Sequence, residues 1–210
     1  MNSGHYIQSL ILQGEGEQLD FKYQVANASK IAKTLVAFAN TKGGTLLIGV
    51  KDNGNIVGVS SEEEIFMIEL AAERYCNPPV KVEMKTWEMD AKAVLEVYVP
   101  PSALKPHYAK DETGKWLVYV RREDENLLAN KVLIEVYKRK QKNIHTVVRY
   151  EKPEKELFEY LEKNTTITFQ EFYKLAHIPP YIAERILVNL VSIGIIRVHI
   201  TPKGNFFALK

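Results

Sequence analysis

Between residues 130 and 150 the chain carries six basic side chains, Lys131, Lys138, Arg139, Lys140, Lys142 and Arg149, against one acid, Glu135, for a local net charge of 6 − 1 = +5. Phosphate is the anion such a cluster attracts, by steering and by release of counterions. The same charge also suits a solvated helix end, where cations oppose the negative pole of the helix. Further along, Tyr181, Arg185 and Asn189 recur at four-residue spacing, so a helix would carry them on one face. Arg and Asn are side chains that read base edges, and Lys174 and Lys203 would add phosphate contacts. Arg185 is the single cation of that face. The helix therefore also suits a protein contact, including a second copy of the chain as a homodimer.

Other chemistry-bearing residues read as structural. Gly43-Gly44 would bring backbone N–H groups near a phosphate, but a P-loop needs G-x-x-x-x-G-K-[ST] between a strand and a helix. Here a helical pattern precedes the glycines and a strand pattern follows, which suits a helix C-cap with Asn40 or Gly43 at positive φ. ATP stays a minor alternative ligand. His107 and His177 have no histidine four residues away and no cysteine nearby, so neither reads as a metal ligand. Trp87 and Trp116 fall in strand patterns and read as core. Cys76 is the one cysteine, which excludes an intramolecular disulfide and a Cys-based zinc site and suits a reducing compartment. Residues 1–11 lack a basic stretch followed by a long apolar core, and nowhere do about 18 apolar residues run together. The expectation is a cytoplasmic chain without a membrane partner.

The elements that would position these residues follow from periodicity. Ile31, Leu35 and Phe38 predict a helix over 28–39 capped by Asn27 or Ser29, and Thr45 to Val50 a buried strand. Lys51-Asp52-Asn53-Gly54-Asn55 predicts a hairpin turn returning through Ile56 to Val59. Ser60 and Ser61 with Glu63 and Glu64 predict capping boxes for a helix that Asn77-Pro78-Pro79 stops. Alternation predicts strands from Val80 to Lys85 and Ala93 to Val99, then Trp116 to Val120, before a helix from Asn126 to about Lys142. After Pro153 the texture changes. A helix over 154–163, a second capped by Thr168 and Glu171, a third opened by Pro179-Pro180, and two strands around the turn at 202–205 give the order of a winged helix.

These elements predict an α+β fold with a mixed or antiparallel sheet and flanking helices over residues 1–130. A basic helix and linker would follow over 131–152, then a small winged-helix-like domain over 153–210. Residues 1–129 carry 14 basic and 18 acidic side chains, net −4, and 151–210 carry 8 and 7, net +1. The positive charge is concentrated at the expected junction.

Two ordered blocks resemble the Schlafen-AlbA-type domain. The first is Gly14-Glu15-Gly16-Glu17-Gln18-Leu19-Asp20-Phe21-Lys22. The second runs from Phe38-Ala39-Asn40-Thr41-Lys42-Gly43-Gly44 through Gly49-Val50-Lys51-Asp52-Asn53-Gly54. The match continues more weakly through Pro78-Pro79 and Tyr119-Val120-Arg121, over about residues 10–130. The resemblance implies a nucleic-acid-binding role, chiefly DNA-binding transcriptional regulation, with Lys22 and Lys42 joining Lys138, Arg139, Lys140, Lys142, Tyr181, Arg185, Asn189 and Lys203 as contacts. Some Schlafen proteins are metal-dependent endoribonucleases, so it also implies an alternative in which Glu15, Asp20 and Asp52 are catalytic and hold Mg²⁺ or Mn²⁺. A third implication is an ATP-binding or assembly module. Three departures weigh against nuclease chemistry and phosphate binding. Asp20 stands where the pattern has Glu, Gly16 where it has Ser, and Arg122-Glu123-Asp124 where it has a Gly-Ser turn.

Overall fold

A computed structural model describes residues 3–59, 62–89, 91–144 and 149–210. The chain divides into two compact units, Met1–Leu128 and Ala129–Lys210. In the first unit the order is α1 (Ser3–Gln13), β1 (Leu19–Lys22), α2 (Ala28–Asn40), β2 (Gly44–Ile48), α3 (Glu62–Arg74), β3 (Cys76–Asn77) and β4 (Glu83–Met89). It continues with β5 (Lys92–Val99), β6 (Tyr108–Lys110), β7 (Trp116–Leu117), β8 (Tyr119–Arg122) and β9 (Glu125–Leu128). The fold is α+β, with a four-stranded sheet ordered β1-β2-β5-β4. That sheet is mixed: β1 runs parallel to β2, and the remaining pairs are antiparallel.

The two-residue period of the strands builds two cores. Leu46 and Ile48 of β2, with Leu95, Val97 and Val99 of β5, face α2 and α3. Leu47 and Val94 point the other way, onto Ile7 of α1 with Leu19 and Phe21 of β1. Glu96 alternates onto this second face and is nearly buried there. Its carboxylate accepts from Tyr6 Oη at 2.7 Å and Trp87 Nε1 at 2.7 Å. Those bonds are what make a buried carboxylate tolerable.

Several local expectations meet tertiary constraints. Asn27 caps α2, accepting from the backbone N–H groups of Ser29 and Lys30. The Asp52–Gly54 turn forms, but its return segment makes one bridge, Val50 to Ile56. Gly49 O takes both Val57 N and Gly58 N, and Val59 N then bonds Ala93 O, so the segment peels away toward β5. Ser60 and Ser61, read as caps, lie outside the described residues. The expected strand from Trp116 to Val120 breaks into β7 and β8, and Trp116 is 41% exposed rather than core. The helix expected from Asn126 starts later. Residues 125–128 pair with β8 as β9, and Asn130 caps the helix by accepting from Leu133 N at 2.8 Å.

The second unit holds α4 (Lys131–Gln141), α5 (Lys152–Lys163), β10 (Ile167–Thr168), α6 (Phe169–Leu175), α7 (Pro180–Ser192), β11 (Ile196–Thr201) and β12 (Gly204–Leu209). Its sheet is antiparallel, ordered β10-β12-β11, and Thr168 with Glu171 forms the expected capping box on α6. The basic helix α4 is built into this unit and packs along α7 more extensively than α6 or β11 does. It buries Val132, Leu133 and Val136. On α7, Ala183, Leu187 and Leu190 share one face, while Val188 lies well off it and is also buried.

Burial of Val132, Leu133 and Val136 stabilises the second unit by roughly 1.5–3 kcal/mol per side chain. A fragment spanning 129–210 is therefore expected to melt cooperatively and well above one spanning 150–210, as followed by circular dichroism. Equal melting temperatures would show that α4 is an appendage.

Candidate nucleic-acid interface

The first sequence block folds around one buried cation. Arg121, on β8, is 1% exposed. Its Nη2 donates to Asp20 Oδ1 at 2.9 Å and to Leu19 O at 3.4 Å, Nε donates to Gly16 O at 3.1 Å, and Nη1 donates to Asn126 Oδ1 at 3.1 Å. Asn126 passes the network on, donating to Thr34 Oγ1 of α2 at 2.9 Å. The guanidinium also lies over the Phe38 ring, 5.3 Å from its centroid. Asp20 gains a second cation, Lys22 Nζ, 2.8 Å from Oδ2. Lys22 Nζ, with three N–H donors, also donates to Phe21 O at 2.6 Å, so the ammonium bridges the carboxylate and the β1 backbone.

Glu15 stands beside this pair. Its carboxylate accepts from Phe21 N at 2.8 Å. Burial, together with the charge and hydrogen bonding of Asp20, raises its pKa above the ordinary carboxylate value, against the opposing pull of the Phe21 N–H and Lys22. Asp52 stays exposed in its turn. Among the described residues no three His, Cys, Asp or Glu side chains are grouped to hold a metal ion. Asp20 is already neutralised by Arg121 and Lys22. The carboxylates Glu15, Asp20 and Asp52 thus do not fit a Mg²⁺ or Mn²⁺ centre, which needs convergent, uncommitted oxygens.

The second block is equally structural. Asn40 ends α2, accepts from His107 N at 2.8 Å, and donates to His107 O at 2.9 Å and Tyr119 O at 2.9 Å. His107 is buried, bonded to Pro78 O at 2.8 Å and Ser102 Oγ at 2.6 Å, and burial lowers its pKa. Gly43 has φ +75°, and a Cβ there would sit 2.6 Å from Val99 O. A Cβ on Gly44 would sit 2.5 Å from the Phe38 ring. The space beside these glycines is filled by protein, so they offer no cradle for the phosphates of ATP.

Cations of the two units differ in what holds them. In the first, Lys22 is tied to Asp20, and Lys42 reaches Glu17 at 2.6 Å. In the second, Lys138, Lys140 and Lys142 are exposed and have no acidic partner among the described residues. Arg139 instead packs inward. It reaches Glu135 at 3.6 Å and donates through Nη1 to Asn189 Oδ1 at 2.6 Å, so two expected contact residues bind each other. Arg185, with Arg149, lines a cavity of about 500 Å³ that also includes Asn189 and Glu154. Tyr181 is 70% exposed at the start of α7, and Lys203 is exposed in the β11–β12 turn. Sequence reasoning did not foresee the roles of Arg121 and Asn126. Arg121 lies 101 residues from Asp20, and no local pattern reports that pairing.

A family model described as Schlafen, AlbA_2 matches residues 15–130. No curated protein matches the chain. Among solved structures, the DIP2311 protein of Corynebacterium diphtheriae is 20% identical with a TM-score of 0.47, over 65% of this chain and 28% of that one. This chain thus spans less than a third of that protein's length. The solution NMR structure of the N-terminal domain of a putative ATP-dependent DNA helicase RecG-related protein from Nitrosomonas europaea is 26% identical. Its TM-score is 0.42, over 58% of this chain and 88% of that one.

Two measurements check the buried cluster. Removing one partner of a buried ion pair costs about 3–5 kcal/mol. Arg121→Met is expected to lose that much in urea unfolding and to regain part of it when combined with Asp20→Asn. A loss under about 1 kcal/mol would contradict the hub. Because the folded-state pKa of Glu15 is raised, the folded state holds this proton more tightly, and the associated stability is lost as pH rises through that pKa. Glu15→Gln should therefore melt like wild type at pH 4 and above it at pH 7. A variant less stable than wild type at pH 7 would show that the carboxylate charge is favourable there.

Proposed function

Because the chain belongs to the Schlafen, AlbA_2 family, we propose that it is a nucleic-acid-binding protein, a DNA-binding regulator whose phosphate contacts lie on its second unit. The observation that carries this reading is the set of uncommitted cations there. Lys138, Lys140 and Lys142 are exposed, and Arg185 lines a cavity without an acidic partner among the described residues, whereas Arg149 beside it is paired with Glu151 at 3.7 Å. Charges already held by a carboxylate have less to gain from phosphate than charges held by water alone, because the carboxylate must first be displaced. By that argument Lys22 and Lys42 of the first unit rank below them.

The second unit also has the element order of a winged helix: α5, β10, α6 and α7, then the β11–β12 hairpin, with β10 paired to β12. In that arrangement α7 would be the helix offered to nucleic acid and Lys203 the tip of the wing. Asn189 is engaged by Arg139, so the contact relies on cations and shape more than on base-edge reading along α7. Arg139 belongs to the support of this surface rather than to the contact.

The test is filter retention of a labelled 20-base-pair duplex by the full chain across salt concentrations. The triple variant Lys138→Gln, Lys140→Gln, Lys142→Gln is expected to lose most retention with its circular dichroism unchanged. Its log–log salt slope should flatten by about 0.7–0.9 for each phosphate contact removed. Retention and slope equal to wild type would overturn the reading.

A further inference from the structure

We propose that β4 is a dimerisation edge, pairing antiparallel with the β4 of a second copy of this chain so that two four-stranded sheets become one. β4 ends the order β1-β2-β5-β4, and β5 is its one strand partner. Bonds farther along the sheet fix where its remaining backbone groups point. Val59 N donates to Ala93 O, so Ala93 of β5 turns its backbone groups away from β4. By alternation Lys92, Val94, Glu96 and Tyr98 turn theirs toward β4, where they face Met89, Trp87, Lys85 and Glu83. Met84, Thr86 and Glu88 therefore aim their N–H and C=O groups outward, and among the described residues nothing bonds to them there. Natural sheets close such edges with a proline, a bulge or a covering element. β4 has no proline, its ladder with β5 runs from Glu83 to Met89 without a bulge, and Thr86 and Glu88 are exposed.

The strand's own charges select a second copy as the occupant. Val82 and Met84 both pack against the core under α2 and α3, so the alternation of β4 reaches back to Val82. A two-fold axis at Met84 sets Met84 against the partner's Met84 and Thr86 against the partner's Val82, outward groups meeting outward groups. On the other face the same register sets Glu83 against the partner's Lys85, and Lys85 against the partner's Glu83, two opposite-charge pairs. Moving the axis one residue either way sets Glu83 against Glu83 or Lys85 against Lys85, and like charges directly opposite repel. Both side chains are exposed and lightly held: Glu83 reaches Lys81 at 3.5 Å, and Lys85 Nζ lies 3.7 Å from the centroid of the Trp87 ring. α1 leaves this stretch open, because it meets β4 toward the far end. There Tyr6 packs on Trp87 with ring centroids 5.1 Å apart, and a Cβ on Gly4 would sit 3.7 Å from Met89 Sδ. One strand pair is a small interface, so the dimer is expected to be weak, with a Kd of roughly 1–100 µM.

The experiment is sedimentation equilibrium of the full chain, without nucleic acid, from roughly 1 µM to 1 mM, a range that brackets this affinity. Wild type is expected to pass from monomer to dimer. Glu83→Lys and Lys85→Glu each set like charges opposite one another on both sides of the axis, so each is expected to weaken the dimer at least about tenfold. An equimolar mixture of the two variants restores both opposite-charge pairs and is expected to associate as wild type does, which a misfolded chain could not do. Thr86→Pro removes an outward N–H that β5 does not use, as edge strands tolerate. It should keep the circular dichroism of wild type and sediment as a monomer. Wild type that stays monomeric at about 1 mM would overturn the proposal. So would a dimer that the charge variants leave intact, or a mixture that associates no better than its components. Because nucleic acid is absent, the result stands apart from duplex retention through Lys138, Lys140 and Lys142, and either reading can fail while the other holds.

Discussion

A guanidinium cannot be taken out of water unless its donors and its charge are met, and Arg121 is almost completely buried. That constraint sets the identities around it. Asp20 supplies the countercharge, Gly16 and Leu19 supply carbonyls at the entry to β1, and Asn126 supplies an amide oxygen from β9. Residues 16–20 and Asn126 lie on separate stretches of chain, so one side chain holds the entry to β1, the β8–β9 hairpin and, through Asn126 and Thr34, α2. Asp20 can face Arg121 because β1 alternates: Leu19 and Phe21 fill the core against α1, which turns Asp20 to the opposite side.

The residues that look most like catalytic machinery are therefore occupied by holding the fold together. Glu15 bonds the backbone of β1, Asp20 neutralises Arg121, Asn40 closes the loop around His107, and Gly43 and Gly44 are glycines because Val99, Pro101 and Phe38 leave no room for a Cβ. In this chain the two sequence blocks build this architecture. The chemistry that varies with nucleic acid is placed, in the reading proposed here, on cations that owe nothing to those blocks.

Local signals were legible where local physics decides the outcome. Asn27 before an apolar helical repeat, Thr168 with Glu171, and Asn53-Gly54 in a turn all gave the element that formed. β1 gave no such signal, since four residues are too few for a period and Leu19-Asp20-Phe21-Lys22 is held by β2 and Arg121. Asn126 to Leu128 joined the helical pattern of α4 because Leu127 and Leu128 continue its apolar content. The Asn130 cap marked the true start. Tyr181, Arg185 and Asn189 do share a helix side, but the docking of α4 spends Asn189 on Arg139, a pairing fifty residues apart that spacing does not encode.

In the reading proposed here, the carboxylate and glycine blocks build the fold while the second unit meets the nucleic acid. Backbone amide shifts of the full ¹⁵N-labelled chain, with a 20-base-pair duplex added at low salt, test it most directly. The account predicts shifts at 138–142 and Arg185 that collapse as salt is raised, with 15–22 and 40–54 unmoved. Shifts concentrated at 15–22 and 40–54, with the second unit silent, would contradict it.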